Sequence, residues 1–220
     1  MNRLVYIFIV LLLPAIKAAA TVKLHSLFSD NMVIQRELPI HIFGTADQGE
    51  SITVTFGNAT VHAVADIKGN WSVELPAQEV CMIGQSLVVE GKTKIVLRDI
   101  LIGDVWLCSG QSNMEMPMKG FKNQPVENAN MDILRSKNPH IRLFTVKRTS
   151  TITPQNDVVG SWKEAAPVSV RDFSATAYYF GRLVNEILDV PVGLVVAAWG
   201  GSACEAWMTA DWLKAFPEAK

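Results

Sequence analysis

The sequence predicts a mixed α/β chain in which an all-β, sandwich-like module precedes an α/β layer. Short runs with period-two alternation, separated by turn residues, fill residues 21–100. In residues 101–220, apolar strands alternate with a helical pattern, which is typical of a sheet with parallel strands. A third, strongly apolar segment occupies residues 1–20. We therefore divide the chain into three parts at these boundaries.

Composition excludes several classes of protein. The chain has 220 residues, a formal net charge of −1, 49% hydrophobic residues and 19% charged residues. This balance supplies a large apolar core, argues against intrinsic disorder, and lacks the basic excess of a nucleic-acid-binding domain. The three cysteines and four histidines form no CxxC or HExxH pattern. These patterns give no sign of a zinc site, and we expect neither a metal nor an organic cofactor.

The first twenty residues have the pattern of a secretory signal peptide. Arg3 precedes an apolar run from Leu4 to Leu13, and Ala18–Ala20 supplies the small residues that signal peptidase recognises. The run is shorter than the roughly 20 apolar residues of a spanning helix. Lys17 also interrupts its end. We expect cleavage before Thr21, a secreted, periplasmic or lysosomal location, and no stable membrane span afterwards.

Strands dominate the β module. Alternating polar and apolar residues, closed by Gly or Pro, mark each of them. The predicted strands are Pro39–Gly44, Ser51–Phe56, Trp71–Pro76, Ser86–Gly91 and Thr93–Leu97. The module also holds His25, His41 and His62 at or within its borders, and we interpret these as structural side chains.

The α/β part is predicted to contain three strands and two main helices. The strands are Val105–Cys108, Ile141–Val146 and Pro191–Ala198, and the helices are Val126–Ser136 and Ala175–Leu188, followed by a helix-like stretch at Ala210–Phe216. Helical spacing places Ala177, Phe180, Val184, Ile187 and Leu188 on one apolar face.

Three strands are few for an open α/β sheet. We therefore expect this chain to be the N-terminal part of a longer protein. We also expect the strand Val192–Ala198 to have an unpaired or uncovered side.

Two glycine-bearing loops follow strands, where ligands bind in α/β folds. In Ser109–Asn113, a serine on a tight turn can present its hydroxyl above the sheet edge. If a helix starts there, free N–H groups favour a developing oxyanion. The pair Gly200–Gly201 allows a close backbone approach. An ordinary polar loop and a simple turn are the alternatives for the two segments.

The residues Gly103–Met116, with the sequence GDVWLCSGQSNMEM, resemble the nucleophile block of the sialate O-acetylesterase family, part of the SGNH hydrolase superfamily. The resemblance extends to Phe28–Arg36, Gly69–Val73, Gly193–Ser202 and Glu205–Met208, and so covers nearly the whole chain after residue 20. It implies that residues 101–220 form the first part of a three-layer SGNH domain.

The resemblance also implies roles for individual residues. Ser112 would be the nucleophile, and the N–H groups of Ser112 and of Gly200 or Gly201 would bind the oxyanion. The predicted substrate-binding residues are Gln111, Asn113, Glu205 and Trp207, and we interpret Glu205 and Trp207 as supports of the loop and the pocket. Ser202 and Cys204 depart from the Thr and aliphatic residue more common in the family, which leaves the fine shape of the loop open.

A serine nucleophile needs a histidine oriented by a carboxylate. The family supplies them from an Asp-x-x-His element and supplies a third amide donor from a Gly-Glu block, and neither is present here. The histidine after Ser112 is His140, which lacks an aspartate at the family spacing.

We therefore expect these 220 residues alone to be poorly stable and to show little or no esterase activity. The resemblance implies an O-acetylated sugar as substrate, and sialic acid is the leading candidate. Xylan or another acetylated glycan is equally compatible with the residues present. The alternative function is a non-catalytic glycan-binding protein with a degenerate hydrolase half.

Overall fold

The computed structural model describes residues 22–216, and the predicted signal segment 1–20 lies outside them. The strands are β1 Lys23–Leu24, β2 Val33–Gln35, β3 Ile40–Thr45, β4 Ser51–Phe56, β5 Ala59–Val64, β6 Asn70–Leu75, β7 Cys81–Glu90, β8 Lys94–Gly110, β9 Asn138–Thr145, β10 Trp162–Ala165 and β11 Val192–Ala198. The helices are α1 Ser112–Glu115, α2 Ala129–Leu134, α3 Pro167–Val170, α4 Ala175–Leu188 and α5 Ala210–Leu213, with a 3₁₀ turn at Cys204–Trp207.

The β module packs a three-stranded sheet, in the order β1-β3-β6, over part of an eight-stranded sheet. Inward-facing residues of β4, β3 and β6 fill the space between them. Ile52, Val54 and Phe56 are fully buried, as are Ile42 and, nearly, Leu75. The alternation that predicted these strands therefore marks the core face, as expected for half-buried strands.

Strand β8 joins the two parts of the chain. Its first half pairs antiparallel with β7, and Asp104–Gly110 pairs parallel with β11. The boundary predicted at residue 100 thus falls inside a continuous 17-residue strand. At Gly103 the strand passes close to Pro191, and a Cβ there would lie 2.0 Å from the Pro191 carbonyl oxygen. Glycine therefore lets the strand continue past this point.

The large sheet has the order β10-β9-β11-β8-β7-β4-β5, with β2 beside β8. Strand β11 pairs in parallel with both β8 and β9. The prediction that Val192–Ala198 has an unpaired or uncovered side is therefore wrong, because this strand is paired on both sides. Among residues 22–216, it is the second half of β8, Asp104–Gly110, that pairs on one side only, with β11. Leu107 in this segment is 72% exposed. The sequence also failed to predict β10, which pairs antiparallel with β9.

Helix α4 has the predicted bounds but a different buried face. Ser174 caps its start by accepting the Ala177 N–H. The residues that pack inward include Ala177, Tyr178, Gly181 and Asn185, whereas Phe180, Ile187 and Leu188 are at least 40% exposed. The small residue at 181 decides this orientation, because a Cβ there would lie 2.5 Å from Leu194 Cδ1 on β11. The helix predicted at Val126–Ser136 is shorter in the structure, where α2 spans Ala129–Leu134.

A buried arginine ties β9 to the β module. The Arg142 side chain is 2% exposed, and its Nη1 donates to Asp99 Oδ2 at 2.7 Å. The guanidinium also donates to Pro139 O at 2.7 Å and to Asn31 Oδ1 at 3.2 Å.

In the described range 22–216, no helix has the length and apolar character needed to cross a membrane.

Candidate active site

Ser112 lies where β8 ends and α1 begins. Gly110 has φ of +156°, a backbone conformation that few residues other than glycine adopt, and it turns the chain out of the strand. Ser112 is exposed on this turn, as the sequence predicts. Helix α1 has only four residues, so the helix dipole expected to favour an oxyanion is that of a single turn.

The glycine loop lies directly beside the serine turn. Because Ala198 and Gly110 are paired, β11 and β8 end at the same level. The Trp199 N–H donates to the Gly110 carbonyl oxygen at 3.0 Å. A Cβ at Gly200 would lie 3.5 Å from Ser112 Cβ. The structure therefore brings together the two segments that the sequence singled out.

Gln111 and Trp207 both contact the glycine loop through Ser202. The Gln111 side-chain amide donates to the Ser202 carbonyl oxygen. The Trp207 indole N–H donates to Ser202 Oγ at 2.8 Å, and this hydroxyl donates to the Trp199 carbonyl oxygen at 2.7 Å. These two side chains therefore support the loop, and the Trp207 ring remains 45% exposed.

Asn113 and Glu205 are exposed beside this loop. The Asn113 carbonyl oxygen accepts the Thr176 hydroxyl at 2.9 Å, which ties α1 to α4. Glu205 is the second residue of the 3₁₀ turn, and its carbonyl oxygen accepts the Met208 N–H at 3.1 Å. Their side chains make no hydrogen bond within the part of the chain that the structure describes.

Glu115 is a site residue whose role the sequence did not predict. One of its carboxylate oxygens accepts the Gly200 N–H, and the other accepts Arg148. Its side chain is 20% exposed, against 54% for that of Arg148. The one available signal is its spacing, since residues three apart share a helix face and Glu115 follows Ser112 by three.

A cleft of about 420 Å³ opens on the other side of Glu115, at the carboxyl ends of β9 and β11. Its charged lining is paired. Lys119 Nζ lies 2.5 Å from Asp172 Oδ1, and this hydrogen bond lowers the pKa of the Asp172 carboxyl. With the Glu115–Arg148 pair, the cleft presents two cations and two carboxylates as two separate ion pairs.

The histidines lie away from Ser112. His140 precedes Ile141, which is level with Val192 and Asp104 at the amino ends of the parallel strands. At roughly 3.3 Å per residue, that end of β8 is about 20 Å from Gly110. The other three contact partners outside the serine and glycine loops, namely His25 with Asp157, His41 with Glu74 and His62 with Thr53. Among residues 22–216, no histidine is hydrogen-bonded to Ser112.

Comparison with known proteins finds sialate O-acetylesterases. The chain is 33% identical to the rat enzyme (Rattus norvegicus) over 208 residues and 30% identical to the human enzyme (Homo sapiens) over 209. Each alignment covers 86% of this chain, which spans only 38% and 39% of those relatives. No protein-family model matches the chain.

The structure resembles that of a carbohydrate acetylesterase from Xanthomonas citri. The TM-score is 0.83 at 33% sequence identity, over 88% of this chain and 44% of the other. The mixed α/β architecture is therefore shared with a solved acetylesterase.

Proposed function

We propose that this chain, a homologue of the sialate O-acetylesterases, carries the nucleophile of an enzyme that removes O-acetyl groups from sugars. The observation that supports the proposal is the packing of the Ser112 turn against the Gly200–Gly201 loop, beyond the carboxyl ends of two parallel strands. An O-acetylated sialic acid is the leading substrate.

In the proposed reaction, Ser112 Oγ attacks the acetyl carbonyl carbon and transfers its proton to a base. Backbone N–H groups of Ser112 and of the glycine loop hold the oxyanion. The C–O bond to the sugar then breaks, and the sugar oxygen takes the proton from the base. Water attacks the acetyl-enzyme, releases acetate and returns the proton to Ser112. This chemistry requires neither a metal nor an organic cofactor.

We propose that the base comes from outside the set of histidines described above. The place of His140 at the far end of the sheet, at the level of Gly103, supports this. We propose that an Asp-x-x-His element encoded beyond Lys220 supplies it. The acetylated sugar, rather than nucleic acid, remains the proposed partner.

Acetate release tests the proposal. The protein, produced at the length its gene encodes, is incubated with O-acetylated sialic acid and, separately, with acetylated xylan. Ser112→Ala is expected to abolish release, whereas Ser109→Ala, at an exposed serine three residues earlier, is expected to retain it. Equal release by the Ser112→Ala variant would contradict the proposal. Sugar binding without any release would favour the glycan-binding alternative.

The proposed substrate is consistent with export. We propose that residues 1–20 are removed and that the mature chain begins at Thr21. N-terminal sequencing of protein secreted by its own host is expected to begin at that residue. A mature protein that retains Met1 would contradict export by cleavage.

A further inference from the structure

The Glu115 carboxylate lies between the serine turn and the Arg148 side chain. It accepts the Gly200 N–H with one oxygen and Arg148 with the other. A Cβ at Gly200 would lie 2.7 Å from Glu115 Oε2, so glycine at this position permits the contact. The contact occupies one of the two loop N–H groups that the sequence assigned to the oxyanion.

Gly201 differs from Gly200 in each of these respects. Its N–H has no acceptor among residues 22–216, and a Cβ at this position would meet no atom within 4 Å. Its φ of +78° lies in the left-handed region that favours glycine. Within residues 22–216, the Gly201 amide is therefore free to bind an added acceptor, while the Gly200 amide is held by the carboxylate.

We propose that Glu115 is a positioning residue that holds Gly200, so that the N–H of Gly201 is the glycine-loop donor to the oxyanion. This inference rests on the proposed esterase function and deepens it. An N–H that already donates to a carboxylate is a poor donor to a second anion, because the two acceptors would compete and repel each other. Gly201 has no such competitor.

Arg148 has a defined part in this arrangement. A carboxylate beside a developing oxyanion would oppose the reaction unless its charge were compensated. Arg148 supplies that compensation directly. The other charged groups lining the same cleft, Lys119 and Asp172, are paired with each other. Removing Arg148 therefore leaves the Glu115 charge exposed to the oxyanion, and neutralising Glu115 removes the need for Arg148.

Selective NMR labelling tests the contact without any assay of activity. Trp199–Gly200 is the only Trp–Gly dipeptide in the sequence, and Gly200–Gly201 is the only Gly–Gly dipeptide. Carbonyl-¹³C labelling of Trp or Gly, combined with ¹⁵N-Gly, therefore isolates the signal of each amide among residues 1–220. Glu115→Ala is expected to move the Gly200 amide proton upfield, because it loses a charge-assisted hydrogen bond. Glu127→Ala, at an exposed site, is the control.

Kinetics test the donor assignment in the protein at its native length. Glu115→Ala is expected to lower kcat about 10- to 100-fold with little change in KM, as for residues that orient a reacting group. Arg148→Met is expected to lower kcat as well. Adding Glu115→Gln to Arg148→Met is expected to recover much of that loss, because the amide oxygen still accepts the Gly200 N–H but carries no charge.

The outcomes separate this inference from the function it rests on. An unmoved Gly200 amide in Glu115→Ala, or no recovery of kcat in the double variant, would overturn the inference even if acetate release depends on Ser112. If the Gly200 amide moves but no acetate release depends on Ser112, the proposed function fails and the assignment of Gly201 fails with it.

Discussion

Replacing Asp99 by asparagine tests how the two parts of the chain are held together. The variant removes the charge opposite Arg142, whose side chain is 2% exposed, and leaves a similar shape. Asp99 has φ of +56°, and asparagine tolerates this left-handed conformation better than most residues. The substitution therefore isolates the electrostatic contribution of the pair.

The expected cost follows from what remains around Arg142. Removing one partner of a fully buried ion pair costs about 3–5 kcal/mol. Here the Asp99 side chain is 41% exposed, and the guanidinium keeps its bonds to Pro139 and Asn31. The Glu164 carboxylate also remains 3.9 Å from Arg142 Nη1. We therefore expect a loss of about 2 kcal/mol, in the range of a hydrogen bond to a charged group. For a chain of this size that lowers Tm by roughly 4–8 °C.

Urea unfolding followed by tryptophan fluorescence measures the difference in free energy. Glu90→Gln is the matched control, since it removes a carboxylate whose partner Lys94 is 3.5 Å away and both side chains are more than half exposed. Such exposed pairs are worth about 0–1 kcal/mol. If Asp99→Asn is no more destabilising than Glu90→Gln, the interpretation of Arg142 as a structural tie is wrong.

Two further predictions concern helix α4 and its contact with helix α2. Gly181→Ala is expected to destabilise the protein by about 1–3 kcal/mol, because the added methyl would lie 2.5 Å from Leu194 Cδ1; a variant as stable as wild type in urea would refute close helix–sheet packing. Hydrogen bonds from Tyr179 and Arg182 lower the pKa of Asp132 in the folded protein. The ionised Asp132 therefore contributes to folding stability above the unfolded pKa of about 3.9, and this stability is lost as pH falls through the lower folded pKa. Asp132→Asn is therefore expected to flatten the fall of Tm below about pH 4, and an unchanged slope in calorimetry would contradict this.

Local patterns predicted much of the β module and of helix α4. In β4, alternation marked both the bounds and the buried face, since each apolar side chain points to the same core. The bounds of α4 followed from its cap and its apolar content. Its buried face did not, because small residues allow the close approach to β11 and the larger Phe180 and Ile187 then face outward.

Contacts between residues far apart in the chain could not be predicted from local sequence patterns. Gly103 looks like a break between two segments, yet it lets β8 pass the Pro191 carbonyl and run on as one strand. The four residues of β10 are too few to show a period. In the candidate site, the sequence placed Ser112 and the two glycines at strand ends. The contact from Glu115 to Gly200 joins residues 85 positions apart and depends on the pairing of β8 with β11.

Identification of the modified residue after covalent trapping is the most direct test of the central claim, that Ser112 is the nucleophile. The protein at its native length is treated with an organophosphate that phosphorylates activated serines, and the adduct is located by peptide mass spectrometry. We expect a single adduct on Ser112 and loss of acetate release in proportion to labelling. An adduct on another residue that abolishes acetate release while Ser112 remains unmodified would contradict it.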